Sequence, residues 1–171
     1  MEQALLPRDH AIDAETLALE RPGDHRLELR LWLRLLTCTT MIEGEIRRRL
    51  RREFGVTLPR FDLMAQLDKA SDGMTLSDLS KRMMVSNGNL TGLVERLVAS
   101  GHVARRASET DKRAQLISLT DLGRAEFRAI AQSHEDWIAG MFRGLNREGR
   151  KHLMDSLSAL KTSVREASRN A

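Results

Sequence analysis

Ser86, Asn87, Gly88, Asn89, Thr91 and Arg96 fall within one short helical pattern, and Arg105, Asp111, Lys112 and Arg113 within the β-prone pattern that follows it. These side chains suit one kind of chemistry. Asn, Thr and Arg donate to or accept from base edges in a DNA major groove, and glycine lets a backbone come close. The opening turn at Ser86 offers free N–H groups to a phosphate. An arginine such as Arg113 on a protruding hairpin suits a narrow minor groove, where negative potential is strongest. Asp111, two residues away, would steady Arg113, because alone it repels phosphate. The plainer alternatives are a solvated helix face and an ordinary charged loop.

The elements that must position these residues run from Thr75 to Leu119. Thr75 is a candidate N-cap, with Asp78 three residues on as a weak capping box. Leu76, Leu79 and Met83 then share one face of a short helix. Met84 and Val85 leave room only for a sharp turn. Ser86 caps the second helix, whose inward stripe is Leu90, Leu93, Val94 and Leu97, and Gly101 stops it. Asn87, Gly88, Thr91 and Glu95 are left facing out. Two β-prone runs, His102 to Ala107 and Gln115 to Leu119, follow with weak alternation around the charged tip. Helix, turn, helix and hairpin in that order predict a winged helix-turn-helix.

The run LSDLSKRMMVSNGNLTGLVERLVASGHVARRASETDKRAQLISLTDLGR resembles the MarR family of bacterial transcription regulators. The features that carry the resemblance are the Leu76 to Leu79 pair, the helix LTGLVERLVASGHVAR, Asp111 with Arg113, and the exit from Leu119 to Gly123. The likeness extends over roughly Asp24 to Ser168. It implies a homodimer on a pseudo-palindromic double-stranded DNA operator. It makes Asn87, Asn89, Thr91 and Arg96 base or phosphate readers and Arg113 the minor-groove residue. Gly88 and Gly92 depart from the pattern by leaving this helix few long side chains.

The chain has 171 residues, with 28 Lys and Arg against 24 Asp and Glu, a net charge of +4 and a pI near 9.8. That excess permits nucleic-acid binding without establishing it. One cysteine excludes an internal disulfide framework. Cys38, in an apolar helical stretch, is expected to be a buried, inert thiol rather than a redox sensor. Some MarR relatives sense peroxide through a cysteine here, often with tyrosine partners, but this chain has no tyrosine. No apolar run is long enough for a membrane span and no signal layout opens the chain, so a cytoplasmic protein is expected.

Residues 1–23 read as an N-terminal arm, either a short helix or disordered. Asp24 to Phe54 reads as one long helix ending at Gly55, with Ile46, Leu50 and Phe54 inward and a basic cluster at Arg47, Arg48, Arg49, Arg51 and Arg52. That cluster reads as a solvated face ahead of a phosphate-facing one. Thr57 to Lys69 is a helix with Pro59 in its first turn. After the wing, Thr120 caps a long helix carrying Phe127, Ile130, His134, Trp137, Ile138 and Met141. Asn146 caps a last helix carrying Leu153, Leu157, Leu160 and Val164. The fold class expected is mainly α with a small β-wing. Residues 57–119 form the DNA-binding lobe, and 24–56 with 120–168 a helical dimerisation region.

No phosphate-binding loop, dinucleotide fingerprint, HExxH or CxxC occurs. His134-Glu135-Asp136 is a conceivable metal fragment, but His134 sits on the apolar stripe and reads as a packing residue. No enzyme, metal or cofactor is expected. The MarR resemblance implies instead a small effector bound between the first long helix and the helix after Pro59. Its lining would be Trp32, Leu35, Leu36, Thr39, Phe61, Met64 and Ala65. The stretch LWLRLLTCTTMIEGEIRRRLRREFGVTLPRFDLMAQLD is similar to members that respond to hydroxycinnamoyl-CoA and control aromatic catabolism. Arg30, Arg34 and Arg60 would then bind the phosphates of CoA. A free phenolic acid, oxidation at Cys38, and a winged-helix interaction module without specific DNA binding stand as alternatives.

Overall fold

The computed structural model describes residues 26–107 and 115–169. The N-terminal arm, Asp24 at the expected start of the first helix, and the wing tip with Asp111, Lys112 and Arg113 lie outside the described residues. The elements run α1 (Arg26–Arg49), a π-helical turn (Leu50–Phe54), α2 (Leu58–Asp68), β1 (Met74–Thr75), α3 (Leu76–Met83), α4 (Asn87–Ala99), β2 (Val103–Ala107), β3 (Gln115–Leu119), α5 (Asp121–Met141) and α6 (Arg147–Arg169).

Local chemistry sets most of these boundaries. Thr75 Oγ1 accepts from the Asp78 N–H at 3.1 Å, Ser86 Oγ from Asn89, Thr120 Oγ1 from Gly123 at 3.0 Å, and Asn146 Oδ1 from Gly149 at 2.7 Å. Each cap contributes about 1 kcal/mol to its helix. Pro59 sits in the first turn of α2, where a missing N–H costs nothing. The long first helix departs from regularity at its end. Leu50–Phe54 widens into a π turn, and Gly55 at φ 65 closes it.

The wing is a three-stranded antiparallel sheet in the order β1-β3-β2. Met74 pairs with Ile117, and Val103 with Leu119. β1 was not foreseen, because two residues show no alternation. Ile117 and Leu119 turn inward from β3, while on β2 only Val103 does so. β2 is an edge strand on which Arg105 and Arg106 are both exposed.

Among the described residues two apolar clusters hold the fold together. The first unites Leu63, Met64 and Leu67 of α2 with Leu79, Leu90, Val94, Leu97 and the strands. The second unites Ile46, Leu50 and Val56 with Phe61 of α2 and Ile130 and Trp137 of α5. Helix α2 therefore joins the winged lobe to the long helices. The apolar stripe of α5, expected to serve a second subunit, is largely spent on this intrachain cluster.

The surplus apolar surface lies elsewhere. Leu27, Leu29, Leu31, Trp32, Leu36 and Met41 of α1 are exposed, as are Met154, Leu157, Leu160 and Val164 of α6. Helix α6 buries no residue at all. An amphipathic helix gains its stability from burying its apolar face, so such a face requires a partner. Cys38 shares this situation. The thiol is exposed, not buried as expected, because the first half of α1 contributes nothing to either cluster.

His134 is half-buried, with its ring 4.8 Å from Phe61 and 6.4 Å from Trp137. That packing fits the expected structural role. Burial depresses its pKa below the ordinary 6.5, against a smaller opposing effect of Glu135. The unfolded chain therefore takes up this proton first as pH falls. The neutral imidazole's contribution to stability is present above the unfolded value and is lost as pH drops through and below it. Thermal unfolding from pH 8 to 5.5 should show the natural chain losing more stability than His134→Phe. Parallel curves would remove His134 from the account.

A candidate DNA-reading surface

The exposed side of α4 is polar, as its inward stripe requires. Ser86, Asn87, Gly88 and Asn89 are exposed at its opening, Thr91 is half-buried, and Glu95 and Arg96 are exposed further on. The Thr91 hydroxyl donates to the Asn87 carbonyl at 2.8 Å, so its oxygen remains available as an acceptor. A Cβ at Gly88 would meet nothing within 4 Å. At Gly92 the nearest atom is Arg96 Nη1 at 3.6 Å, so this glycine leaves space across which the guanidinium lies.

The turn before α4 is held tightly. Met84 takes a left-handed conformation at φ 55, and Ser80 Oγ donates to the Val85 carbonyl at 2.7 Å. A non-glycine residue there costs about 1 kcal/mol, which the surrounding turn must offset. At the other end Gly101, at φ 75, reverses the chain into the wing. The His102 N–H donates to Leu97 at 2.9 Å, and the Thr120 N–H to the His102 carbonyl at 3.0 Å. Thr120 Oγ1 also donates to the Gly101 carbonyl at 2.7 Å. The first turn of α5 is thereby joined to the exit of α4.

Two grooves flank the helix. One brings Thr91 and Arg105 together with Leu76, Ser77 and Gln115. The other, of about 480 Å³, brings Asn89, Leu93 and Arg96 together with Arg47 and Arg51 of the first helix and Thr57 to Pro59. The two arginines from the first helix were not among the expected site residues. Their spacing of four was visible in the sequence, but their proximity to α4 was not.

The expected effector residues do not converge in the same way. Arg30, Trp32, Arg34, Leu36 and Thr39 are exposed and Leu35 is half-buried, all on the part of α1 without intrachain core contacts. Phe61 and Met64 are buried, in different clusters, and Ala65 is half-buried. Arg60 differs most from expectation. Its Nη2 donates to both Glu126 oxygens, at 3.0 and 2.8 Å, so the guanidinium is already matched to a carboxylate. Glu126 also pairs with His102. Among the described residues no three His, Cys, Asp or Glu side chains form a metal-binding group, and no helix is long and apolar enough to cross a membrane.

A helix pair joined by a short turn through the left-handed Met84, a polar outward helix and a three-stranded wing define a winged-helix module of the kind that reads DNA. The chain belongs to the MarR family of transcription regulators, whose profile matches residues 54–114. It is similar to the transcriptional activatory protein BadR of Rhodopseudomonas palustris, 34% identical over 120 residues, 68% of each chain. It is also similar to the crystal structure of a MarR family regulator from Silicibacter pomeroyi, at 30% identity and a TM-score of 0.70, covering 84% of this chain and 99% of that one. CouR of Rhodococcus jostii, solved with p-coumaroyl-CoA, shares the fold at 19% identity and a TM-score of 0.66, over 76% of this chain and 90% of CouR. The first two of these relatives are transcription regulators, not enzymes.

Proposed function

We propose that the chain acts in the cytoplasm as a homodimeric repressor on a pseudo-palindromic DNA operator, released by a small aromatic effector. The observation that carries the reading is a pairing of two surfaces. A polar helix face stands ready for a major groove, and the apolar faces of α1 and α6 stand uncovered among the described residues. A two-fold dimer through those faces is the common solution. It would set two α4 helices about 34 Å apart, one DNA turn. Asn87, Asn89, Thr91 and Arg96 would contact the major groove, with Ser86 and Gly88 admitting the backbone. Arg105 would flank them, and Asp111, Lys112 and Arg113 would serve the minor groove.

The effector is proposed to be an aromatic acyl thioester, held by the exposed Trp32 and Leu36 with Arg30 and Arg34 for its phosphates. The support is the character of the first helix; the likeness to CouR extends to the fold. Arg60 is held by Glu126, which takes it out of this phosphate role. Only a ligand that prefers a spacing unable to bind DNA releases the operator. A tenfold release needs about 1.4 kcal/mol of coupling.

The test is a titration on the DNA upstream of the protein's own gene, at two salt concentrations, with and without an aromatic acyl-CoA. Tight, salt-sensitive binding relieved by the thioester is the expected result. Arg113→Ala should weaken that binding by about tenfold to a hundredfold, the scale of one arginine–DNA contact. Unchanged affinity would move the minor-groove role to another residue. Transcription from the same promoter decides between repression and activation.

A further inference from the structure

The basic run at the end of the first helix contains one arginine unlike the others. Arg47 pairs with Glu43, and Glu45 holds both Arg48 and Arg49, each at 2.5 Å. Glu53 holds Arg52 at 2.5 Å. Hydrogen bonds from Arg48 and Arg49 hold the pKa of the Glu45 carboxyl down at about 2. Arg49 also lies over the Trp137 ring, 5.8 Å from its centre, on the side facing α5. Within this run, among the described residues, Arg51 alone has no carboxylate. It sits four residues after Arg47, so the two share a helix face. That face lines the groove beside the recognition helix, where Arg96 is likewise without a carboxylate.

We propose that this groove seats the DNA backbone, with Arg51 taking a phosphate at the flank of the half-site that α4 reads. The proposal rests on the DNA-binding reading above and adds an element outside the winged lobe to it. The groove's composition supports a polyanion. Arg47, Arg51, Arg96, Asn89 and Thr57 line it together with apolar side chains, and no Asp or Glu does. Thr57, the N-cap of α2, makes no side-chain capping bond. A guanidinium already matched to a carboxylate gains little from a phosphate, whereas an unmatched one releases a condensed counterion from the DNA on binding. Asn89 and Arg96 come from the recognition helix itself, so a strand seated here continues directly from the surface that meets the bases.

The natural chain, Arg51→Gln, Arg51→Lys and Arg48→Gln should be titrated against the upstream duplex and a scrambled duplex over a salt series. Arg51→Gln should lower affinity about threefold to tenfold on both duplexes and reduce the slope of log K against log salt by about 1 per subunit. Arg51→Lys should restore the slope. Arg48→Gln, whose partner is Glu45, should leave it unchanged, and all four unfolding midpoints should agree. An unchanged slope for Arg51→Gln, or an effect confined to the upstream duplex, would overturn the proposal. If the natural chain shows no preference for the upstream duplex, the operator reading fails separately. The backbone seat is then judged by the slopes on the scrambled duplex alone.

Discussion

Gly123→Ala should destabilise the folded chain by about 3 kcal/mol or more, at the upper end of what overpacking costs. A Cβ at Gly123 would stand 2.1 Å from the His102 carbonyl oxygen and 3.0 Å from its carbon, and both atoms are backbone. Neither can swing aside, because that carbonyl accepts the Thr120 N–H and the preceding Gly101 carbonyl accepts the Thr120 hydroxyl. The first turn of α5 would have to lift away from the exit of α4, taking the orientation of the recognition helix with it. Urea unfolding of Gly123→Ala beside Gly140→Ala measures the effect. Gly140 lies in the same helix with nothing within 4 Å, so alanine there should stabilise by about 0.5–1 kcal/mol. A loss below about 1 kcal/mol at Gly123 would mean that the contact is looser than its geometry.

The second large effect is expected at α6. Leu157→Glu combined with Leu160→Glu should dissociate the proposed dimer. A leucine is worth about 1.5–3 kcal/mol when fully buried, and the two-fold axis doubles every substitution. Even partial burial of four such side chains gives about 4 kcal/mol, or about a thousandfold in the dissociation constant. Sedimentation or light scattering at micromolar concentration would show a monomer. The winged lobe should remain folded, because α6 contributes nothing to either apolar cluster. Operator affinity should fall toward that of a single half-site. A double variant that remains dimeric would place the subunit contact on α1 instead.

Both effects show where the sequence was legible and where it was not. The caps at Thr75, Ser86, Thr120 and Asn146 could be read directly, since a cap joins residues three apart and depends on little else. The inward stripes of α3 and α4 followed from their period, which left the outward polar face as the remainder. Family membership was legible for the same reason, because its marks lie close together from Leu76 to Gly123. What lay beyond reach were the contacts between distant residues. Arg60 and Glu126 are 66 positions apart, so nothing local announced that this arginine was already held. An apolar helix suggests a buried Cys38, yet burial depends on what packs there, and among the described residues no core cluster reaches that turn. The five arginines looked alike in the sequence. Ion pairs of the other four with Glu43, Glu45 and Glu53 separate Arg51 from the rest. The sequence by itself determined the helices, their caps and the family, because these follow from neighbours. Only the tertiary structure decided which charges are left unmatched, which apolar faces are left uncovered and which glycine admits no side chain, because each depends on segments brought together by the fold.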